Sequence, residues 1–172
     1  MTTAMNFVGI DPSVTATGVA VLNSAGEVLT ATAIKCGGHG LPRVLEYRTQ
    51  VLDLLPEGPA HVAIEGYAYS NKFNLATLVE LGTALRLAVL DRGWTYVDVA
   101  PTALKAFALM PKGSKAKDKP FVQVKERWGF VHKSGDVVDA YVLAQIARAD
   151  AGAARRELHI RQIDVLTGLK QK

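Results

Sequence analysis

Short apolar runs separated by turn residues fill the first part of the chain. The run FVGI at residues 7–10 stops at Asp11 and Pro12, which is typical of a buried central strand. TGVAVLN and EVLTATAI follow it, and the polar segment NSAG between them predicts a turn. The pattern therefore predicts that the chain opens with a meander of three antiparallel strands.

Helical and extended patterns alternate in the rest of the chain. Helices are predicted at residues 41–55, 71–91, 101–110 and 119–127 and from Gly135 onward, and strands are predicted for HVAIE and WTYVDV. Strands first, then alternating helices and strands, predict an α/β fold with a mixed five-stranded sheet flanked by helices. The tail LHIRQIDVL fits either an added strand or a short helix.

The helix predicted at residues 71–91 is apolar on more than one face. One stripe contains Leu78, Leu85 and Val89, and another contains Phe73 and Leu87. If one stripe packs on the sheet, the other needs a second partner. That partner is either a second copy of the chain in a homodimer or another element of the same chain, and the pattern favours neither.

Composition predicts one globular domain. The chain has 172 residues, of which 49% are hydrophobic and 21% charged, enough for one sizeable core. We expect a domain at residues 1–150 followed by a basic tail or extension at 151–172. No apolar run approaches the roughly 20 residues of a membrane span, and no signal-peptide layout is visible, so we expect no membrane partner and a cytoplasmic location, in the host if the source is a virus. The single cysteine, Cys36, excludes an internal disulfide and a cysteine zinc site.

Basic residues concentrate between Lys105 and Lys133. Eight of them stand against two acidic residues in this segment, although the net charge of the whole chain is only +4. Such a cluster is typical of a surface that binds a polyanion, and equally of a solvated loop. The cluster alone does not separate the two interpretations.

Four acidic residues stand where a charge is costly. Asp11 and Glu65 each end an apolar strand, and Asp136 and Asp139 lie three positions apart on one face of the last long helix. Singly, each has an ordinary alternative as a turn residue, a first-turn helix acid or an exposed strand end. If the two strands are neighbours and the helix crosses their ends, the four carboxylates meet in one pocket. Such a set of oxygen ligands suits Mg²⁺ or Mn²⁺.

Five short motifs are spread over residues 6–148. They are G-I-D-P-x-x-x-x-T-G from Gly9 to Gly18, I-E-G around Glu65, P-x-x-x-K ending at Lys105, D-K at Asp118 and Lys119, and D-x-x-D-A from Asp136. In this order and near this spacing, they resemble the RuvC family of Holliday junction resolvases. The resemblance implies a ribonuclease H-like fold, a homodimer, and metal-dependent cutting of four-way branched DNA, which serves recombination and repair. It implies no nucleotide cofactor.

The resemblance also assigns roles to the charged residues. The family's four acids match Asp11, Glu65, Asp136 and Asp139, which would hold two cations, Mg²⁺ or Mn²⁺, in each active site. Two such cations activate a water molecule and stabilise the leaving oxygen during attack on phosphorus. The family pattern further places two lysines, Lys105 and Lys119, at the scissile strand or at neighbouring phosphates, either as catalytic groups or by general attraction.

The chain departs from the family pattern at three places. Ser13 replaces the glycine that usually follows Asp-Pro. The lysine-rich insertion before Lys119 is a few residues longer than usual, so that either Lys115 or Lys117 could take the place of Lys119. The further DNA-binding candidates are Lys112, Lys115 and Lys117.

The third departure concerns the family's aromatic wedge. Ala68 holds the spacing of the aromatic residue that enters the junction. The neighbouring aromatics that could stack on an unpaired base instead are Tyr67, Tyr69 and Phe73.

Other functions remain open at this level. A related nuclease could act on RNA/DNA hybrids or on other branched DNA, and a binding module could recognise branched DNA without cutting it. Retention of four acids argues against a pure binder, because negative charge repels phosphates. An actin-like kinase would need a second nucleotide-binding domain, for which 172 residues are too few.

Overall fold

The structure is a computed structural model that describes residues 4–67, 75–115, 118–154 and 158–169. The described residues form five strands and six helices. The strands are β1 (Asn6–Asp11), β2 (Thr17–Leu22), β3 (Val28–Ile34), β4 (Ala60–Glu65) and β5 (Tyr96–Val99). The helices are α1 (Gly40–Leu54), α2 (Leu75–Asp91), α3 (Pro101–Phe107), α4 (Phe121–Trp128), α5 (Gly135–Asp150) and α6 (Ile160–Gly168).

The strands form one mixed sheet in the order β3-β2-β1-β4-β5. The first three strands pair in antiparallel fashion, whereas β4 and β5 run parallel to β1. The turn between β2 and β3 lies where the sequence predicts it. The Asn23 side chain accepts a hydrogen bond from the N–H of Glu27 at 2.9 Å, and Gly26 has a left-handed φ of 84°. The predicted five-stranded sheet flanked by helices is confirmed.

The two faces of the sheet are covered by different helices. Side chains alternate along each strand, so Val8 and Ile10 of β1 pack with α1 and α2, whereas Phe7 packs with α3, α5 and their neighbours. In β4, Ile64 lies on the first side and Ala63 on the second. The continuous apolar runs of β1 and β4 are therefore the consequence of burial on both faces.

Helix α5 is the central helix of the second layer, and every residue from Val137 to Ala149 is buried. It crosses β1 and β2 so closely that a side chain does not fit beneath it. A Cβ atom at Gly9 would lie 1.9 Å from the carbonyl oxygen of Ala140, and one at Gly18 would lie 2.1 Å from that of Asp136. The two glycines therefore allow the first turns of α5 to rest directly on the strands.

Several predicted boundaries are refined by the structure. The helix predicted at residues 119–127 begins at Phe121, because Pro120 disfavours a helical conformation for the residue before it. The tail, open between strand and helix, contains α6, whose buried Gln162 donates to the carbonyl oxygen of Phe107 at 2.8 Å. Residues 71–74 of the long predicted helix lie outside the described residues. Within the described part of the chain, no helix is both long and apolar enough to cross a membrane.

Candidate active site

Asp11 and Glu65 end neighbouring parallel strands. Ile10 pairs with Ile64 in the register of β1 and β4, so the two acids stand side by side at the carboxyl ends of these strands. Each follows a side chain that faces α1 and α2, and both carboxylates therefore project to the α5 side of the sheet.

Helix α5 brings the other two acids to the same place. Asp11 pairs with Gly18 across β1 and β2, and Gly18 lies against the first turn of α5. Asp139 is 5% exposed, whereas the side chain of Asp136, in the first turn, remains 29% exposed. The structure thus gathers the four predicted acids at one end of the sheet, with Asp139 the more deeply buried member of the helical pair.

Lys119 lies among these carboxylates. Its Nζ atom is 2.5 Å from Oδ2 of Asp139, 3.5 Å from Oδ1 of Asp136 and 3.9 Å from Oδ2 of Asp11. Burial alone would lower the pKa of Lys119, but the charges of the three carboxylates outweigh it and hold that pKa above its usual value. Lys119 is therefore a fixed positive charge at the centre of the acidic site.

Burial and mutual repulsion raise the pKa values of the most deeply buried acids. The pKa of Asp11 lies well above its usual value, first because of burial and then because the Glu65 carboxylate is adjacent and can share a proton with it. Burial also raises the pKa of Asp139 to about 6, although Lys119 opposes the shift. These carboxylates hold negative charge at a cost that a bound cation would relieve.

The chemistry of the donor set fits hard divalent cations. All four acids offer oxygen ligands, and Oδ1 of Asp139 is buried without a hydrogen-bond partner among the described residues. In the same residues, however, no three acidic, histidine or cysteine side chains are already arranged as a metal site. The ammonium group of Lys119 stands among three of the acids, so it would have to withdraw from Asp139 before a cation takes its place.

The acids open onto a cavity of about 210 Å³. Asp11, Glu65, Asp136 and Lys119 line it together with Tyr67. Ser13 also lines the cavity and does not adopt a positive φ, and its backbone N–H and carbonyl groups both lie within hydrogen-bond reach of the Thr17 hydroxyl. The absence of the usual glycine at this position therefore causes no backbone strain.

The other predicted lysines lie outside the acidic cluster. Nζ of Lys105 donates to the carbonyl oxygen of Lys115, the N–H of Lys115 donates to Asp118 at 2.6 Å, and Lys112 is exposed. Among the described lysines, only Lys119 is within ion-pair distance of the acids. Lys117 lies outside the described residues.

Tyr67 is the one aromatic candidate that the structure describes. Its hydroxyl group is 3.4 Å from Oγ1 of Thr83 and 3.4 Å from the carbonyl oxygen of Val79, so the ring lies along α2. Tyr69 and Phe73 lie outside the described residues.

A second, larger groove adjoins the acids and contains Lys35, which sequence reasoning missed. It has a volume of about 680 Å³ and begins at Asp136, between the end of β3 and the loop before α5. Lys35, Lys133 and His132 line it. Lys133 belongs to the basic segment noted in the sequence, but Lys35 stands alone after β3. No local signal connects the two lysines, because only the packing of α5 on the sheet brings them together.

Comparisons with known proteins support the fold. No protein-family model and no curated protein matches the chain. Solved structures do match, among them RuvC of T. thermophilus in complex with a Holliday junction substrate, with a TM-score of 0.67, and Thermus thermophilus RuvC, with a TM-score of 0.68. Each is 22% identical in sequence and aligns with 87% of this chain and 98% of its own. The chain therefore has the ribonuclease H-like fold of RuvC, as its sequence motifs predict.

Proposed function

We propose that the protein is a metal-dependent endonuclease that resolves four-way DNA junctions by paired, symmetric nicks. The convergence of Asp11, Glu65, Asp136 and Asp139 at one end of this sheet is the observation that carries the proposal. The similarity in fold to RuvC in complex with a Holliday junction substrate supports branched DNA as the substrate.

The four acids would hold two cations, Mg²⁺ or Mn²⁺. Bound there, the cations would make a water molecule nucleophilic and stabilise the oxygen that leaves phosphorus. Asp11 and Glu65 are held in place by the sheet, and Asp139 by the buried face of α5. Such rigid placement keeps the ligands in position throughout the reaction.

Lys119 would contact the phosphates of the cut strand. Lys119 precedes Pro120 and lies outside α4, and its ammonium group already contacts the acids. When cations neutralise the carboxylates, the same group can move to a phosphate oxygen that lies within its reach. Lys105, Lys112 and Lys115 belong to the basic segment that leads to Lys119 and would attract the flanking phosphates.

A second copy of the chain would complete the enzyme. Helix α2 has an exposed apolar stripe that includes Val79, Leu87 and Leu90, which are 37%, 52% and 45% exposed. Its opposite face packs on α1 and the sheet. A four-way junction presents two equivalent strands, so a symmetric dimer formed through α2 would supply one active site for each of them.

Cleavage assays with three substrates test the proposal. The protein is incubated with a mobile four-way junction, a plain duplex and an RNA/DNA hybrid, each in Mg²⁺, Mn²⁺ or EDTA. We expect paired nicks in the junction, little cutting of the duplex, and no activity in EDTA. Preferential cutting of the hybrid would favour the ribonuclease alternative, and undiminished activity in EDTA would refute the metal site.

Binding assays with two variants distinguish catalytic acids from structural ones. Asp11→Asn and Asp139→Asn should abolish cutting but retain or improve junction binding, because each removes a negative charge near the DNA backbone. If both variants fold and yet lose junction binding, the acids do not form the cutting site.

A further inference from the structure

Arg86 is a charged residue buried beneath the active-site end of the sheet. It lies on α2 and is 9% exposed. Its Nε and Nη2 atoms are 3.0 and 2.6 Å from Oδ1 of Asp98 on β5. Its Nη1 atom donates to the carbonyl oxygen of Gly82 at 2.9 Å. A buried ion pair contributes little net stability, because the loss of hydration offsets the attraction of the charges. The position of this pair therefore calls for another explanation.

The same guanidinium holds the peptide group that follows Glu65. Nη2 of Arg86 donates to the carbonyl oxygen of Glu65 at 3.2 Å. The N–H of this peptide group belongs to Gly66 and donates to the carbonyl oxygen of Val99 at 2.8 Å. Both polar ends of the peptide plane are therefore restrained. Because glycine itself restricts the backbone very little, these two contacts fix how the chain leaves β4 after Glu65.

Tyr67 stacks against the guanidinium of Arg86. The centre of its ring is 4.8 Å from Cζ of Arg86, and its hydroxyl oxygen is 3.4 Å from Nη1. Gly82 leaves room for this stack, since a Cβ atom there would lie 2.8 Å from both Cε1 of Tyr67 and Nη1 of Arg86. Arg86 thus contacts the residues on both sides of Gly66, and both of them line the acidic cavity.

We propose that Arg86 is a positioning residue of the active site. It clamps the peptide group after Glu65 and supports Tyr67, and in this way it aims the Glu65 carboxylate at the other acids. The inference rests on the proposed function, because it takes Glu65 to be a cation ligand. Residues that orient metal ligands typically change metal affinity or activity by about 10–100-fold when they are replaced.

A double variant separates positioning from stability. Arg86→Met alone leaves Asp98 without its Arg86 contacts and should lower Tm, which does not discriminate between the two roles. Arg86→Met/Asp98→Leu removes both charges together, so its Tm should fall less than that of Arg86→Met, which leaves the charge of Asp98 behind. Even so, we expect its affinity for Mn²⁺, measured by titration calorimetry on the free protein, to fall about 10–100-fold. The kcat for junction cutting should fall with it, while junction binding in EDTA is retained.

Arg92→Met is the matched control. Arg92 follows the end of α2, donates to the carbonyl oxygens of Leu52 and Pro56 at 2.9 Å each, and stacks on Trp94, but it is remote from Glu65. This variant should lose some stability and keep the wild-type affinity for Mn²⁺. If the wild type is active and the double variant has the same Mn²⁺ affinity and kcat, the positioning role of Arg86 is overturned but the proposed function is not. A wild type that neither binds Mn²⁺ nor cuts would overturn the proposed function as well.

Discussion

Asp11 is a carboxyl group whose ionised form destabilises the metal-free protein. Its pKa is raised by burial and by Glu65, so the folded chain retains a proton on Asp11 at pH values where the unfolded chain has released it. The stability associated with this proton is fully present below about pH 4, the ordinary range of an aspartate, and is lost as the pH rises through the folded-state pKa.

Asp11→Asn should therefore stabilise the protein in EDTA at pH 8. A gain of about 1 kcal/mol would raise Tm by about 2–4 °C in a chain of this size. Thermal unfolding of both proteins at pH 8 and pH 4 measures the effect, and we expect the difference to disappear at pH 4. Added Mn²⁺ should raise the Tm of the wild type but not that of the variant. A lower Tm for the variant at pH 8 would show that the ionised carboxylate is favourable in the fold.

Lys119 neutralises acids that otherwise repel one another. Its pKa is raised, so the ammonium is charged throughout the range from pH 5 to pH 8 and stabilises the fold there. Removing one partner of a buried ion pair costs about 3–5 kcal/mol, and because the Lys119 side chain is 29% exposed we expect a smaller loss, about 1–3 kcal/mol, for Lys119→Met at pH 8. The loss should be smaller at pH 5, where Asp139 can take up a proton, since its pKa is already about 6 in the presence of Lys119.

Lys112→Met serves as the control for this substitution, because Lys112 is an exposed lysine of the same basic segment. Its unfolding free energy should change by less than about 0.5 kcal/mol at either pH. Denaturant unfolding at the two pH values makes the comparison. Equal losses for Lys119→Met at pH 5 and pH 8 would contradict the account of Lys119 as the counter-ion of Asp139.

At the scale of elements, helices α5 and α2 differ in how much of their surface is buried. Helix α5 is buried over most of its length and carries two of the acids. Helix α2 is buried along one side only, at residues such as Leu81, Leu85 and Val89, and leaves Leu87 exposed. The sequence already indicates that α2 is apolar on two sides, but the exposed stripe becomes visible only when the fold is known.

Leu87→Glu should dissociate the proposed dimer without unfolding the chain. Because both protomers of a symmetric dimer carry the substitution, two charges enter the apolar interface. We expect the dimer Kd to rise by at least about tenfold, equivalent to about 1.4 kcal/mol. Sedimentation at micromolar concentration measures the change. Ile163→Glu on α6, where the side chain is 45% exposed, is the matched control and should not alter the mass. A wild type that sediments as a monomer would refute the dimer.

At the scale of the molecule, we expect the groove that leads away from Asp136 to extend the proposed DNA-binding surface. Lys35 and Lys133 lie along it, in two loops that are far apart in the sequence. If each neutralises one phosphate, Lys35→Ala/Lys133→Ala should reduce the slope of log K against log salt for junction binding by about 2. Arg48→Ala, on α1, should leave the slope unchanged, because Arg48 pairs with Asp91 instead. An unchanged slope in the double variant would exclude the groove from the DNA path.

The sequence by itself determined the features that depend on local periodicity. Alternation along a strand decides which side chains of that strand face the same side of the sheet, and the helical repeat decides that Asp136 and Asp139 share a face of their helix. Turn chemistry places the hairpin at Asn23. Each of these is settled within a few residues, because backbone geometry repeats over short distances and dictates which side chains share a side.

Tertiary structure alone decided which partners meet. Lys119, rather than Lys105 or Lys115, reaches the acids, and its Nζ atom lies 2.5 Å from Oδ2 of Asp139, 20 residues further along the chain. Arg86 finds Asp98 and the carbonyl oxygen of Glu65 only when α2 packs on β4 and β5. Such contacts join residues far apart in the sequence, and they follow from side-chain packing and the relief of buried charge, neither of which has a period that can be read along the chain.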